Sequence, residues 1–273
     1  MTSPGDPPPA NDPYWYEYLT KGDAMERRVR RLFQRIPHGP RCKICAAPFG
    51  GPGAPFMRAI GKRPSDTNPA MCNSCFVHLS KHHGGAEIEA SFMFADIRGS
   101  TTLAERMSPT EFRALLDRFY VAAAAAVFDH DGGVDKFVGD EIVAFFFPLM
   151  TGDRHAAKAV EAATALLRAT GHEEPGGPWV PVGAGVATGK AWVGAVGDER
   201  RMDITALGDP VNTTARLAAV AQAGEVLITV EAAEAAGLDR SLEPRALELK
   251  GKRSPTRVVS LTVGPTAALA GSG

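Results

Sequence analysis

Two aspartates interrupt apolar segments that are typical of β-strands. Asp96 ends one such segment just before Gly99-Ser100-Thr101, and Asp140 follows Gly139 between two segments rich in Val, Ile and Phe. The glycine and the two hydroxyl residues are expected to open a helix, whose free backbone N–H groups attract anions. Two carboxylates on neighbouring strand ends beside a phosphate cradle predict a two-metal site for phosphoryl transfer. Taken singly, each aspartate also fits a helix cap or a turn.

A third polar group lies at the start of a predicted helix near residue 210. Asp209 and Pro210 are typical of the first positions of a helix, and Asn212 and Arg216 follow, four residues apart. That spacing places both side chains on one helix face. An amide and a guanidinium are suitable donors for phosphate oxygens. The alternative is an exposed arginine with an incidental asparagine.

All four cysteines occur in two C-x-x-C pairs, Cys42/Cys45 and Cys72/Cys75, separated by 26 residues. Each pair presents two thiolates on one side of a tight turn, and two such pairs can close a tetrahedral Zn²⁺ site. The Gly- and Pro-rich spacer predicts a loop that needs a structural metal to become ordered. The alternatives are an Fe–S cluster on the same thiolates, and redox-active or unligated thiols. A closed metal site leaves no position for chemistry, so we expect a structural or regulatory segment.

Residues 23–36 have the pattern of a basic amphipathic helix. The predicted apolar stripe is expected to pack on the rest of the amino-terminal segment. Docking of the arginine-rich face onto the acidic remainder of the chain, or onto a partner, is the alternative. Basic and aromatic residues are not interleaved over a wide face, so nucleic-acid binding is not expected. The stripe consists of Met25, Val29, Leu32, Phe33 and Ile36.

The formal net charge of −1 over 273 residues conceals two segments of opposite charge. Residues 1–85 contain 12 Lys and Arg against 6 Asp and Glu, whereas the remaining residues contain 18 against 25. We therefore expect two modules whose docking is sensitive to salt. No apolar run approaches the ~20 residues of a membrane span, and the first residues lack the features of a secretory signal. A cytoplasmic protein with reduced thiols is expected.

From residue 86 onward, regular elements alternate with short turns. The patterns predict the order β-α-β-β-α-β-β-α-β, an α+β sandwich with helices on a mostly antiparallel sheet. Strands are expected near 181–187 and 190–196, a capped helix start at Ser108-Pro109-Thr110-Glu111, and a hairpin with Asp140 at its tip. The predicted boundaries are a disordered Pro-rich tail over 1–22, a helix plus metal-binding module over 23–84, a catalytic domain over 85–264 and a flexible tail over 265–273.

Five motifs occur in a fixed order: FADIRGST, DKFVGDEIVAFF, VGAGVATGKAWVGAVG, TALGDPVNTTARL and LELKGK. In this order they resemble the catalytic domain of class III nucleotidyl (adenylate/guanylate) cyclases over about residues 86–263. The resemblance implies a ferredoxin-like core and a homodimer with two active sites at the subunit interface. The implied reaction converts a nucleoside triphosphate into a 3′,5′-cyclic nucleotide and pyrophosphate.

The resemblance also implies roles for individual residues. Asp96 and Asp140 match the aspartates that bind two Mg²⁺ or Mn²⁺ ions, and the Ile97 backbone matches a further metal contact. Asn212 and Arg216 match the residues that stabilise the transition state, supplied from the other subunit. Because the attacking ribose hydroxyl belongs to the substrate, no protein nucleophile is needed.

Three lysines match phosphate-binding positions of the family or lie beside them. Lys250 in LKGK matches the phosphate-binding lysine, and Lys252 is an alternative for the same role. Lys190 in TGK stands where many relatives have arginine. It keeps the positive charge but lacks the bidentate fork of a guanidinium.

Two residues match the positions that select the purine base. Lys136 lies four residues before Asp140, and Thr205 stands where many adenylate cyclases have aspartate. An ammonium can donate to adenine N1 but opposes the N1–H of guanine, and a hydroxyl can accept from the adenine amine. The pair therefore favours ATP. It resembles the branch that includes bicarbonate-responsive cyclases, so a response to bicarbonate is a hypothesis.

Other functions remain open from the sequence. Val138-Gly139-Asp140-Glu141 resembles the GGDE turn of diguanylate cyclases, although that family does not place Asn and Arg at this spacing after a helix start. A catalytically weak or inactive cyclase fold could serve as a signalling or binding module. A third alternative makes the cysteine module the main function, through binding of protein or nucleic acid.

Overall fold

A computed structural model describes residues 12–22, 24–36, 39–82, 84–198 and 201–265. The helices are α1 (Pro13–Thr20), α2 (Ala24–Gln34), α3 (Ala54–Ala59), α4 (Asn73–Ser80), α5 (Ser100–Arg106), α6 (Pro109–Asp129), α7 (Pro148–Thr151), α8 (His155–Ala169), α9 (Asp209–Val220) and α10 (Val230–Ala236). The strands are β1 (Gly85–Ile97), β2 (Gly133–Val138), β3 (Glu141–Phe146), β4 (Val182–Asp198), β5 (Arg201–Leu207), β6 (Glu225–Thr229), β7 (Arg245–Leu247) and β8 (Thr256–Thr262).

The strands form one mixed sheet in the order β2-β3-β1-β4-β6-β8-β7, with β5 paired to the far end of β4. Only β4 and β6 run parallel, whereas the other neighbours are antiparallel. From β1 to β4 the chain follows the β-α-β-β-α-β order of a ferredoxin-like unit. The predicted α+β class and mostly antiparallel sheet are therefore confirmed.

Helices α6, α8 and α10 cover one face of the sheet. Met93, Ala95 and Ile97 of β1 point into this layer and pack with small and branched residues of the helices. Helix α6 begins at the predicted capping box, in which the Ser108 hydroxyl accepts from the Glu111 backbone and the Glu111 carboxylate accepts from Ser108. The paired caps satisfy N–H groups that would otherwise lack partners and so fix where the helix starts.

The amino-terminal module packs on the opposite face of the sheet. Phe92 and Phe94 of β1 share one apolar cluster with Trp15, Phe33 and the first cysteine pair. Helix α1 corrects the prediction of a disordered tail over 1–22, because Trp15 and Leu19 are buried at this interface. Residues 1–11 and 266–273, for which disorder and flexibility were predicted, lie outside the described residues.

Two further predictions for the amino-terminal module are wrong in detail. Met25 and Leu32 of the expected apolar stripe are exposed on α2, and Arg30 is buried in their place. The reason is that backbone carbonyls of the sheet domain and of the first cysteine pair supply acceptors for the Arg30 guanidinium. The spacer between the cysteine pairs is not wholly a loop, since it contains α3.

The two strands expected near 181–187 and 190–196 are a single strand, β4. The break expected at Thr188 and Gly189 is absent, because both residues continue the ladder with β1. The hairpin partner of β4 is instead β5, a strand that the sequence reading missed. Among the described residues, no helix combines the length and apolarity required to cross a membrane.

Candidate functional site

The two predicted metal-binding aspartates lie together where β1 ends and β3 begins. Asp96 is the penultimate residue of β1, and Asp140 lies in the two-residue turn between β2 and β3. Gly139 has a φ of 60° in this turn, a left-handed conformation that favours glycine. The Ile97 N–H donates to the Asp140 carbonyl at 3.3 Å, which joins the strand end to the turn. Antiparallel pairing of β1 with β3 therefore brings the two carboxylates together.

The two neighbouring carboxyl groups have different protonation behaviour. Burial raises the pKa of Asp96 to about 7, and the Asp140 carboxylate adds to the rise. Burial also opposes ionisation of Asp140, but the polar groups of Asp96 and Ser100 beside it hold its pKa below the ordinary value. Asp96 Oδ1 is buried and has no hydrogen-bond partner among the described residues. Two adjacent carboxylates with an unsatisfied oxygen fit a hard divalent cation such as Mg²⁺ or Mn²⁺.

Arg98 is a member of this site that the sequence reading missed. Its guanidinium forms an ion pair with Asp96 Oδ2 and donates to the Ala219 carbonyl at 2.8 Å. The positive charge of Arg98 opposes the rise in the pKa of Asp96. The available signal was an arginine two residues after the aspartate, in the short connection from strand to helix.

The segment Gly99-Ser100-Thr101 does begin a helix. Gly99 occupies the cap position of α5 with a left-handed backbone, and Ser100 is the first helical residue. The Ser100 side chain contributes to the lowered pKa of Asp140, so this segment lies beside the carboxylate pair. The phosphate cradle inferred for these residues stays a prediction.

The predicted phosphate-binding residues are divided between α9 and the turn before β8. Asn212 is exposed on α9, whereas Arg216 on the same helix is half-buried. The Arg216 guanidinium lies against Gly251, where an added Cβ would come within 3.3 Å of Nη2. Lys250 is the exposed neighbour of this glycine. Lys252 instead forms a 2.6 Å ion pair with Asp209, so its ammonium is already engaged.

Lys190 lies within the long strand β4 and not at the start of a separate strand. It is exposed on β4, opposite Glu89 in the strand register, and its ammonium is 4.0 Å from Glu87. It borders an open cleft of about 640 Å³ together with Asp209 and Lys252 at the start of α9. A role in phosphate binding for Lys190 stays a prediction.

The two predicted base-selecting residues meet at one buried carboxylate. Thr205 Oγ1 on β5 donates to Asp135 Oδ2 at 3.0 Å, and Lys136 Nζ on β2 lies 3.2 Å from the same oxygen. Asp135 is the extra residue of a β-bulge in β2, which allows its side chain to turn inward beside the exposed Lys136. The sequence reading missed Asp135. An acidic residue within an apolar strand was the available signal.

An open cleft of about 1020 Å³ is lined by Lys136 and by the Asp135 carboxylate that contacts both base-selecting residues. One wall comes from α6 and β2, including Tyr120 and Phe137, whose rings stack with centroids 4.3 Å apart. The opposite wall comes from the amino-terminal module, including Pro69 and Lys43. The cleft therefore combines aromatic surface with the Lys136 ammonium, a combination that suits a planar base.

The four cysteines form a compact cluster in the amino-terminal module. Their Sγ atoms all lie within 4.8 Å of one another, and all four thiols are free. The sulfurs of Cys45 and Cys72 are 3.7 Å apart. Zn–S bonds of about 2.3 Å place the sulfurs of a tetrahedral site roughly 3.8 Å apart, so the cluster fits a zinc-type ion. Backbone N–H groups of Cys72 and Cys75 donate to the cluster sulfurs at 3.2 and 3.4 Å.

Comparisons of the sequence agree with this geometry. A family profile described as the adenylate and guanylate cyclase catalytic domain matches residues 86–259. The chain is 32% identical over 180 residues to an uncharacterized protein of Mycobacterium tuberculosis H37Rv, covering 64% of this chain and 33% of the relative. It is 36% identical over 146 residues to adenylate cyclase 1 of Rhizobium meliloti, covering 50% of this chain and 22% of that protein. The chain thus spans a third or less of the length of these relatives.

Solved structures give similar matches. The guanylyl cyclase Cya2 superposes with a TM-score of 0.59 and 26% identity, covering 68% of this chain and 98% of that chain. The adenylyl cyclase CyaB from P. aeruginosa superposes with a TM-score of 0.56 and 28% identity, with the same coverage. The matched structures thus include cyclases that act on either purine nucleotide.

Proposed function

The chain belongs to the adenylate and guanylate cyclase catalytic-domain family, and from this premise we propose that it converts ATP into 3′,5′-cyclic AMP and pyrophosphate. In this reaction the ribose 3′-oxygen forms a bond to the α-phosphorus, and the bond from that phosphorus to pyrophosphate breaks. The observation that carries the proposal is the adjacency of Asp96 and Asp140 beside the start of α5, with one carboxylate oxygen left unsatisfied.

Each catalytic residue has a distinct task in this proposal. Asp96 and Asp140 would hold two divalent cations, which lower the pKa of the ribose hydroxyl and neutralise phosphate charge when bound. Arg216 donates N–H groups to the α-phosphoryl oxygens as negative charge develops on them. Asn212 orients the ribose ring oxygen, and Lys250 pairs with the terminal phosphates.

We infer that two copies of the chain build each active site. The family resemblance assigns the aspartates and the Asn212–Arg216 pair of one site to different subunits. Large apolar side chains support this assignment, because Val121, Val138 and Leu207 are each more than half exposed in the single chain. A second copy would remove such surface from water.

The direction of one hydrogen bond supports the proposed preference for ATP. Because Thr205 donates its only hydroxyl proton to Asp135, its oxygen lone pairs remain to accept a hydrogen bond from the base. The adenine N6 amine is a donor, whereas guanine O6 at the same position is an acceptor. Lys136 can donate to adenine N1 but opposes the N1–H of guanine. Both groups therefore favour adenine.

We further propose that the cysteine cluster holds one Zn²⁺ with a structural role. Four thiolates complete a tetrahedral shell, so no open position is left for chemistry. An Fe–S cluster is the alternative occupant of the same thiolates. Four unpaired cysteines suit a reducing compartment such as the cytoplasm.

The experiment supplies purified protein with ATP or GTP at equal concentrations, with Mg²⁺ or Mn²⁺, and measures both cyclic products. We expect cyclic AMP to form faster, with one pyrophosphate per turnover, and the Arg216→Ala variant to serve as an inactive control. Faster formation of cyclic GMP would overturn the base assignment. The GTP arm is included because the chain is similar to the guanylyl cyclase Cya2. No cyclic product from either nucleotide would favour an inactive cyclase fold.

A further inference from the structure

Lys43 lies between the cysteine cluster and the base-selecting residues. It follows Cys42 in the first C-x-x-C pair, and its side chain is only 2% exposed. Its ammonium donates to Asp135 Oδ1 at 3.1 Å, to Asp203 Oδ1 at 2.6 Å and to the Ile204 carbonyl at 2.8 Å. An ammonium has three N–H donors, so all of its hydrogen-bonding capacity is used here.

The three acceptors of Lys43 flank the two residues proposed to contact the base. Asp135 precedes Lys136 in β2, whereas Asp203 and Ile204 precede Thr205 in β5. Asp135 uses one oxygen for Lys43 and the other for both Lys136 and Thr205. Lys43 is therefore connected through a single carboxylate to both base-selecting side chains.

The spacer between the cysteine pairs supports the same contact. The Asn68 amide donates to Asp203 Oδ1 at 2.9 Å and to the Met202 carbonyl at 3.3 Å. Burial would raise the pKa of Asp203, but Lys43 and Asn68 hold it below the ordinary value. Asp203 is thus kept ionised by two residues of the amino-terminal module.

The fit between the first cysteine pair and β2 is close. A Cβ atom on Gly133 would lie 2.9 Å from the Lys43 carbonyl oxygen, and the Lys43 N–H donates to the Ala70 carbonyl at 2.9 Å. The backbone of Lys43 is therefore held by β2 on one side and by the spacer on the other. A shift of the first cysteine pair cannot leave the position of its ammonium unchanged.

We propose that Lys43 is a positioning residue that couples the metal-bound state of the four-cysteine cluster to the choice of purine base. This inference deepens the proposed function and rests on it. Lys43 offsets the charge of Asp135 and holds the carboxylate that accepts a hydrogen bond from the Thr205 hydroxyl, so Thr205 presents its lone pairs and Lys136 stays available to the base. Without Lys43, Asp135 keeps its contacts with Lys136 and Thr205 but loses the charge that offsets it, so it holds the Lys136 ammonium more strongly and makes it less available to the base.

The test compares kcat/KM for ATP and for GTP in the full chain, using wild type and Lys43→Met. We expect the ATP-to-GTP ratio to fall by about tenfold or more, mainly through a higher KM for ATP. The matched control is Lys81→Met, which removes an exposed lysine of the same module and should leave the ratio unchanged. Lys43→Arg, which keeps the charge, should recover part of the preference. A purely structural role would lower the melting temperature without moving the ratio.

Further variants cover the case in which Lys43→Met does not fold. The double variant Lys43→Met/Asp203→Asn removes one negative charge together with the positive one, and Asp135→Asn breaks the same bridge from the other side. Both should shift the ratio in the same direction while zinc content stays at wild-type level. Chelation of zinc from the wild-type chain should reproduce the shift. An unchanged ratio in any folded variant that lacks the Lys43–Asp135 contact would overturn the coupling.

The experiments distinguish failure of the proposed function from failure of the coupling through Lys43. A wild type that prefers GTP contradicts the base assignment, yet a change of its ratio in Lys43→Met still supports the coupling. If the wild type forms no cyclic product, equilibrium dialysis of ATP and GTP replaces the rates. Equal relative affinities in wild type and Lys43→Met would then overturn the coupling.

Discussion

The carboxylate pair and the cysteine cluster are both suited to metal ions, but their donor atoms are satisfied to different degrees. Asp96 leaves one buried oxygen without a partner, and its neighbour Asp140 lies in an open turn. The cysteine sulfurs face one another within 4.8 Å and also accept backbone N–H groups. An incomplete donor set leaves room for substrate, whereas a closed one does not. This difference supports the proposal that the first site carries out chemistry and that the second stabilises the chain.

The two sites also depend on different parts of the fold. Asp96 and Asp140 are placed by a long ladder between β1 and β3, which has its own apolar core. The cysteine pairs are placed by turns and short helices whose apolar residues merge with the core under the sheet. Loss of ions from the carboxylates should therefore affect activity alone, whereas loss of the ion from the cysteines should affect stability as well.

Of the variants considered, Asp140→Asn should reduce the cyclase rate most, and it should leave stability almost unchanged. The change keeps the shape of the side chain but removes a charge needed to bind divalent cations. We expect the cyclase rate to fall by about 10³-fold or more, with little change in melting temperature. Asp153→Asn changes an exposed aspartate just before α8, serves as the control and should retain full activity. A rate within tenfold of wild type would contradict the role of the carboxylate pair.

Cys72→Ser should have the largest effect on stability. Cys72 is buried and contributes one of four thiolates, so its loss should release the metal and lower the melting temperature by about 5 °C or more. Differential scanning calorimetry and zinc analysis measure both effects. Asn73→Ser at the next position is the control. An unchanged zinc content in Cys72→Ser would rule out a four-thiolate site.

Arg30→Met should have a smaller effect on stability. The Arg30 guanidinium bridges the Ile44 carbonyl near the cysteine cluster and the Gly132 carbonyl before β2. Removing it leaves two buried carbonyls without donors, at a cost of about 2–4 kcal/mol in the free energy of unfolding. Arg28→Met changes an exposed residue of the same helix and should cost less than about 0.5 kcal/mol. Equal losses in urea denaturation of both variants would contradict a bridging role.

Ionic strength should have the smallest effect. The opposite net charges of the two segments predicted salt-sensitive docking, but the contacts of Lys43 and Arg30 are buried and therefore little screened. We expect the melting temperature to change by less than about 2 °C between roughly 0.05 M and 0.5 M NaCl. A fall of several degrees would show that exposed charges hold the module in place.

Local motifs made much of the site predictable. Asp96, Asp140 and the cysteine pairs stand out because glycines, strand ends and short spacings mark them within a few residues. Lys43 could not be identified in this way, because its partners Asp135 and Asp203 lie 92 and 160 residues away along the chain. Only the folded sheet brings these residues together.

The fold was predictable where the local sequence has a strong apolar period or a capping motif. It was less predictable where contacts between distant elements determine the course of a strand or the burial of a side chain. The β1 ladder and the capped start of α6 follow from their own sequences. The continuation of β4 through Gly189 does not follow from its own sequence, because a glycine at this position also fits a turn. The burial of Arg30 likewise depends on carbonyl groups of distant elements.

The most direct test of the composite cyclase site is complementation between two inactive variants. One variant carries Asp96→Asn and Asp140→Asn, and the other carries Asn212→Ala and Arg216→Ala. If two subunits build each site, an equal mixture contains dimers with one intact site, and about a quarter of the wild-type rate of cyclic AMP formation should return. A mixture that forms dimers yet stays as inactive as its separate components would contradict the composite site.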